Sequence, residues 1–387
     1  LTATTTSPNL PDGKLSGLIV RPDGSLVRGR ITFADRINAL ESASDGGDED
    51  YILPGFVDLQ VNGSHGIDVM NAPADALATL SRHLAREGAT AWMPTAITAP
   101  IERIAQVHES ISRAIENSRR DASADAAAIL GMHLEGPFIS PLRLGAHPAL
   151  NLEPRADAFE RVLAMRALRL ITLAPELPGG FDAIRRLTAR AVVVSIGHTN
   201  ATLEEANAAI AAGARMFTHL FNAMRPLNHR DPGVVAAALA PSPALAAIIP
   251  DGVHVHPAML RIASRARGKD GMILVTDKVA LAKASPSEKN AGPARGSITT
   301  KIRDGAARLD NGTLAGSIIS MLDGVRVMVE RAGVSIGDAA VMAATNPANL
   351  VGAGDRGRIQ VGARADLIVL SRALELKSVF IAGRELG

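Results

Sequence analysis

Cysteine is absent from all 387 residues, and that absence removes disulfides, thiolate metal sites and thiol nucleophiles together. Any metal must then be held by imidazole, carboxylate or amide groups. An excess of one charge is also missing: 41 Lys and Arg face 39 Asp and Glu, a formal net charge of +2. So balanced a chain does not imply nucleic acid as a partner, and the densest basic stretch, residues 261–269, spaces its charges as on a solvated helix face. No apolar run of roughly 18 residues occurs, so no membrane span is expected. Residues 1–14 are polar, hold two prolines and lack the apolar stretch of a signal peptide. The first residue is Leu1 rather than Met, which fits a trimmed start. The expectation is a soluble, cytoplasmic protein.

With 47% hydrophobic residues the chain can bury a large core, and its length suits a barrel with a small appendage better than one ordinary compact domain. The first fifty residues alternate short apolar runs with turns: 18–20, then Pro22-Asp23-Gly24-Ser25, then 26–31, a pattern of β-hairpins. An acidic, Gly-containing loop at 42–50 follows. From residue 52, short apolar strands alternate with Ala-rich helical stretches, as in βα units around a parallel sheet. Eight strands are predicted, at 53–59, 89–95, 129–134, 168–173, 191–196, 214–218, 246–249 and 272–276. Stretches 74–87 and 101–118 carry apolar residues at helical spacing and suit an outer ring. Residues 284–296 read as a mobile loop, 297–314 as β segments, 320–344 as helical, and 366–370 and 379–383 as strands. The fold class is therefore α/β: a (β/α)8 barrel beside a small β-sandwich built from both ends of the chain. The divisions fall at 1–52, 53–350 and 351–387, with the 297–314 insertion joining the small domain.

In such a barrel, the C-terminal ends of several strands converge on one catalytic face. Here most predicted strand ends carry a metal-capable or acid–base group: Gln60-Val61-Asn62, His133-Leu134-Glu135, Gly197-His198-Thr199, Thr218-His219, Asp251-Gly252-Val253-His254 and Thr276-Asp277. A lone His at a strand end is commonly a hydrogen-bonded structural residue, and a Glu before Gly-Pro commonly caps a turn. Six such ends at barrel spacing point elsewhere. Glu135, His198 and His219 make a three-ligand set that leaves a position open for water on a divalent ion, Zn2+ first and Fe2+ or Mn2+ as alternatives. Asp277 then serves as general base toward that water and as general acid toward a leaving amine.

The motifs carry a resemblance. Pro54-Gly55-Phe56-Val57-Asp58, His133-Leu134-Glu135-Gly136-Pro137-Phe138, Gly145-Ala146-His147-Pro148, Gly197-His198-Thr199 and Thr218-His219-Leu220-Phe221-Asn222-Ala223-Met224 come in order. They are followed by Asp231-Pro232-Gly233, Asp251-Gly252-Val253-His254, Val275-Thr276-Asp277, Leu314-Ala315-Gly316-Ser317, Asn346-Pro347-Ala348 and Gly362-Ala363-Arg364-Ala365-Asp366-Leu367. Together, from about residue 53 onward, they resemble the N-acetylglucosamine-6-phosphate deacetylases of the amidohydrolase superfamily. The resemblance implies one metal ion per subunit on Glu135, His198 and His219, with Asp277 activating water. It also implies that His147 polarises the acetamide carbonyl, and that Asn222, the backbone at Ala223, and Arg230 hold a sugar phosphate. His254 and Leu314-Ala315-Gly316 would contact the sugar, with Ala146 and Asp251 beside them; Arg230 would come from the other subunit of a homodimer.

The sequence departs from this pattern in places. Many amidohydrolases end strand one in His-x-His, which helps hold a second metal; Gln60 and Asn62 offer amides instead, poor transition-metal ligands, and at most touch water or a second ion. His65 is a loop residue near the entrance that could reach the metal. Lys278 stands directly after the base, where the family has a small residue. Strand alternation sends it to the opposite face, whereas an ended strand would let its ammonium pair with Asp277 and lower the basicity of that carboxylate. His229 and His256 have structural or solvated roles, and His83 and His108 lie outside the barrel. Two other readings stay open: another amidohydrolase acting on amides or cyclic imides, and a non-catalytic barrel serving as an interaction module.

Overall fold

Near-continuous apolar residues on short β-rich runs make both faces of a parallel sheet buriable, and the intervening amphipathic helices cover one of them. In this computed structural model, which describes residues 13–42, 50–120, 125–285 and 300–387, that logic produces a barrel. Its strands are β1 (Phe56–Val61), β2 (Ala89–Ile97), β3 (Met132–Glu135), β4 (Leu168–Leu173), β5 (Val193–Ile196), β6 (Met216–Phe217), β7 (Leu245–Ile248) and β8 (Met272–Leu274), each paired with the next. Closure comes from a parallel bridge between Val61 and Lys278, where the Asp277 N–H donates to the Gln60 carbonyl at 2.9 Å and the Asn62 N–H to the Lys278 carbonyl at 2.8 Å. Most of the polar segment 1–14, and most of the 42–50 and 284–296 loops, lie outside the described residues.

Helices wrap the outside because their apolar stripe is their only means of burying area. Leu77, Leu80 and Leu84 of α1 (Ala74–Arg86) and Ile104, Val107 and Ile111 of α2 (Ile101–Arg120) lie in the core between barrel and helices. Later in the chain, Leu203–Ala212 starts from a capping box: Thr202 accepts the Glu205 N–H while Glu205 accepts the Thr202 N–H. His256 caps Pro257–Arg267 by accepting the Ala258 N–H at 3.2 Å. No helix among the described residues is long and apolar enough to cross a membrane.

Both ends of the chain meet in one seven-stranded sheet, in the order Arg384–Glu385, Leu376–Ile381, Leu367–Leu370, Tyr51–Pro54, Gly13–Val20, Leu26–Phe33, Ile37–Ser42. The sheet folds over a core of its own, and Phe33 meets Phe380 edge-on at 5.5 Å. Two expectations need correction. The predicted first barrel strand, 53–59, is divided at Gly55: Tyr51–Pro54 belongs to the small sheet, and the barrel begins at Phe56. The 297–314 insertion does not join the small sheet; Lys301–Arg303 and Ala306–Arg308 pair with each other, and Arg308 bridges Leu314. Backbone bonds between Ala307 and the Ala315–Gly316 pair tie that hairpin to the barrel mouth.

Gly55 marks the crossing because the chain there runs against Thr90, so that an added Cβ would collide with that side chain. Gly55→Ala is therefore expected to destabilise the fold by about 1–3 kcal/mol, an overpacking cost, readable as a lowered denaturant midpoint; an unchanged midpoint would contradict this account of the crossing.

Candidate metal centre

The side chains that converge on the barrel mouth come from the residues at or just beyond the strand ends. Glu135 closes β3, His198 follows β5, His219 follows β6 and Asp277 follows β8. His198, His219 and Asp277 all have left-handed backbones, with φ of 46°, 28° and 50°. For residues with a Cβ this conformation costs energy, and such strain persists where the surrounding structure over-determines it.

Glu135, His198 and His219 are buried together and could hold a metal ion, their ligand atoms all within 4.8 Å of one another. The Glu135 Oε1 lies 2.9 Å from His219 Nε2 and 3.3 Å from His198 Nε2, and the two Nε2 atoms are 3.1 Å apart. Three donors on a tetrahedral zinc stand about 3.4 Å from one another, so the set needs little rearrangement. The His198 Nδ1–H donates to the Arg143 carbonyl at 2.9 Å, which leaves the Nε2 lone pair facing inward. Burial opposes a charge on Glu135, yet the hydrogen bonds from His147, His198 and His219 hold its carboxyl well below the usual range. Burial, with the charge of His147, pushes His198 down to about 4. Burial acts the same way on His219, but its bond to Glu135 and the charges of Glu135 and Asp277 outweigh it and raise that pKa. An ionised carboxylate, a neutral imidazole and a second imidazole whose proton a cation would displace are the chemistry of a divalent-metal site.

Gln60 and Asn62 hold the fourth group. The fully buried Gln60 Nε2 donates to Glu135 Oε1 at 2.9 Å and to Asp277 Oδ1 at 3.2 Å, and the Asn62 Nδ2 donates to the same Asp277 oxygen at 2.7 Å. Their own carbonyl oxygens, Gln60 Oε1 and Asn62 Oδ1, are buried without a hydrogen-bond partner. Burial and the negative charge of Glu135 push the Asp277 carboxyl up to about 7, against the pull of His219 and His254.

Above this floor lies a cavity of about 270 Å3. Its wall includes His147, whose Nδ1 sits 2.8 Å from the Thr98 hydroxyl and accepts the Thr98 N–H at 3.4 Å. That leaves the His147 proton on Nε2, 3.6 Å from Glu135 Oε2. His254 also lines the cavity, with its Nδ1 2.6 Å from Asp251 Oδ2 and its buried Nε2 unpartnered. Asp251 is absent from the wall: it reaches the cavity only through His254 and through the N–H groups of Val253 and His254, which it accepts. Ala146, Asn222, Ala223, Leu314, Ala315 and Gly316 also line the cavity.

Arg230 is not brought to this cavity. It is exposed in the loop after β6, and its N–H donates to Asn228. Lys278 turns away from Asp277: its side chain is 2% exposed and its Nζ lies 2.6 Å from Glu87 Oε2, behind the barrel wall. His65 does not reach the metal donors either; it stacks on His83 at 4.2 Å. Sequence reasoning missed Asp68 and Met70, which line the cavity from the hairpin after β1 and its continuation. It also missed a polar layer inside the barrel, where the His133 ring nitrogens face Thr95 (3.3 Å) and Thr172 (2.9 Å), and Thr172, Thr218 and Ser195 continue the chain of hydroxyls. The signal was available: His133 stands two residues before Glu135 and so faces the same interior.

Comparison with known proteins agrees with this geometry. Residues 51–386 match the amidohydrolase family. The chain is 38% identical to a Bos taurus N-acetylglucosamine-6-phosphate deacetylase over 95% of this chain and 92% of that one. It is 35% identical to an Escherichia coli N-acetylgalactosamine-6-phosphate deacetylase, covering 87% of this chain and 88% of that one. A solved Mycobacterium smegmatis N-acetyl-D-glucosamine-6-phosphate deacetylase, a mutant in complex with N-acetyl-D-glucosamine-6-phosphate, superposes with a TM-score of 0.87 at 31% identity, covering 97% of this chain and 99% of that one. By fold, by the donors at its strand ends and by these likenesses, the chain belongs to the amidohydrolase family.

Proposed function

We propose that the chain removes the acetyl group of N-acetyl-D-glucosamine 6-phosphate, releasing acetate and D-glucosamine 6-phosphate. One observation carries the reading: a buried Glu135/His198/His219 donor set shares its floor with a carboxylate, Asp277, that two amides hold and whose pKa lies near 7. The names of the relatives and the ligand of the Mycobacterium smegmatis complex support the substrate.

A divalent ion on the three donors supplies Lewis acidity to the reacting oxygens; two imidazoles and a carboxylate favour Zn2+, with Fe2+ or Mn2+ accepted by the same atoms. The remaining steps belong to side chains. Asp277 Oδ takes the proton of the attacking water, and the same proton then passes to the departing nitrogen, so one carboxyl acts as base and acid in turn. The His147 Nε2–H donates to the carbonyl oxygen as negative charge develops there. His254, held by Asp251, presents Nε2 as an acceptor for a sugar hydroxyl, and Leu314, Ala315 and Gly316 shape the opposite wall.

The phosphate needs a cation, and among the described residues no Lys or Arg lines the cavity. That supports a homodimer in which Arg230 of one subunit completes the phosphate site of the other beside Asn222 and Ala223. The Escherichia coli relative makes N-acetylgalactosamine 6-phosphate the competing substrate to assay.

Purified protein is expected to contain one divalent metal ion per chain and to release acetate from the 6-phosphate far faster than from the unphosphorylated sugar. Equal rates on the two sugars, or a metal-free protein that turns over, would refute this reading. In a pH profile of kcat/KM at saturating metal, activity should fall on the acid side with unit slope as Asp277 protonates. Bound positive charge favours the carboxylate, so the midpoint should lie below the value of about 7 that burial and Glu135 impose. Asp277→Asn should abolish turnover with metal content retained. Arg230→Ala should raise KM for the phosphorylated substrate. Assayed well below the raised KM, randomly mixed dimers of Arg230→Ala and Asp277→Asn chains should recover about a quarter of wild-type activity, since half the dimers are mixed and each holds one intact site; no recovery would place Arg230 outside the partner's pocket.

A further inference from the structure

Lys278 is among the largest fully buried side chains of the protein, and it is charged. A buried ion pair is a poor source of stability, because desolvation of both charges offsets their attraction. Its presence directly behind the reacting carboxylate therefore calls for another explanation. The backbone of Lys278 occupies the seam of the barrel. Its carbonyl accepts the N–H groups of Asn62 (2.8 Å) and Gly63 (3.1 Å), and it bridges Val61 on one side and Ser317 on the other. The residue before it, Asp277, is in the left-handed region, and Asn62, one residue beyond β1, donates to Asp277. Both partners in that catalytic hydrogen bond thus hang from the Lys278 peptide.

The side chain of Lys278 runs outward to the carboxylate of Glu87, the C-cap of α1. The second carboxylate oxygen of Glu87 lies 3.6 Å from His65 Nε2, on the hairpin that follows Asn62, and the His65 N–H and the Ser64 hydroxyl both bond to the Ala282 carbonyl. Glu87 therefore holds the end of strand eight, which carries Asp277, through the Lys278 ammonium, and lies beside the loop after strand one, which carries Asn62.

We propose that Lys278 and Glu87 are positioning residues: their ion pair, outside the barrel wall, fixes Asp277 and Asn62 in mutual register for proton transfer. The inference rests on the hydrolytic reading above for the role of Asp277. Neither side chain lines the cavity or belongs to the metal-donor set, so the expected loss is in kcat, with KM and metal content unchanged.

The test separates positioning from stability. Glu87→Gln leaves the buried Lys278 ammonium without its partner, Lys278→Met leaves the half-buried Glu87 carboxylate without its own, and each should lower both the melting temperature and kcat. In the double variant Lys278→Met/Glu87→Gln no buried charge is stranded, so the melting temperature should recover toward wild type. The tether is still missing, and kcat should stay down roughly 10- to 100-fold, the scale of a small misplacement of a reacting group. A double variant with wild-type kcat, or with kcat rising in step with the melting temperature, overturns the proposal. Hydrogen–deuterium exchange gives a readout independent of turnover: the amides of Asn62, Gly63 and Asp277 should exchange faster in the double variant than in wild type, while those of Leu26–Phe33 stay unchanged. Unaltered exchange at the seam overturns the proposal as well. If wild-type protein releases no acetate from the phosphorylated sugar, the hydrolytic reading fails by that result alone, and the exchange comparison still decides whether the pair holds the seam.

Discussion

Strand eight must meet strand one for the barrel to exist, and the register of that meeting decides what every nearby side chain can do. The Asp277 N–H to Gln60 carbonyl bond and the Asn62 N–H to Lys278 carbonyl bond set it. Alternation then does the rest: Asp277 points inward to the amides of Gln60 and Asn62, while Lys278 points outward to Glu87. A slip of one residue would exchange the faces, placing an ammonium among the metal donors and a carboxylate behind the wall. The backbone seam and the candidate chemistry are in this sense one constraint.

Below that level the barrel interior is partly polar, although bulky branched side chains usually fill such a space. Thr95, His133, Thr172, Thr218 and Ser195 form a continuous hydrogen-bonded layer between an apolar floor, which includes Met93, Leu170 and Met216, and the donors above. Burial pushes His133 down to about 4, so the imidazole is neutral and each of its ring nitrogens is used by a hydroxyl. The Thr95 hydroxyl in turn accepts the Val61 N–H at 3.0 Å, where the pairing of β1 with β2 is irregular. A fully satisfied network of this kind is rigid, because moving any member leaves a buried polar group without a partner. It gives Glu135, two residues above His133, a floor that does not yield.

Much of this was legible in the sequence because catalytic barrels concentrate polar residues where strands end. Glu135, His198, His219 and Asp277 could be read from that pattern, and the structure brings them together on one floor. Alternation also offered the right answer for Lys278, but its partner could not be read: Glu87 lies 191 residues away and looks like an ordinary helix-end carboxylate. The division at Gly55 was hidden because Pro54-Gly55-Phe56 sits inside one unbroken apolar run, and only the contact with Thr90 shows why a glycine is needed there. The hairpin at Lys301–Arg303 and Ala306–Arg308 read as another piece of the small sheet because strand propensity says nothing about which partner a strand will find. Arg230 shows another limit of reading a single chain: within this chain it does not line the cavity.

The small sheet has a consequence for how the chain reaches its native state. Tyr51–Pro54 lies between Gly13–Val20 and Leu367–Leu370, and the latter pairing joins residues roughly 300 positions apart. During synthesis Tyr51–Pro54 can join the N-terminal hairpin early, but its other edge stays open until the barrel has been translated. An unfilled edge is a template for pairing with other chains. Vectorial synthesis thus makes strands translated after the barrel the ones that retire a hazard created before it, through a pairing whose loop closure is entropically costly.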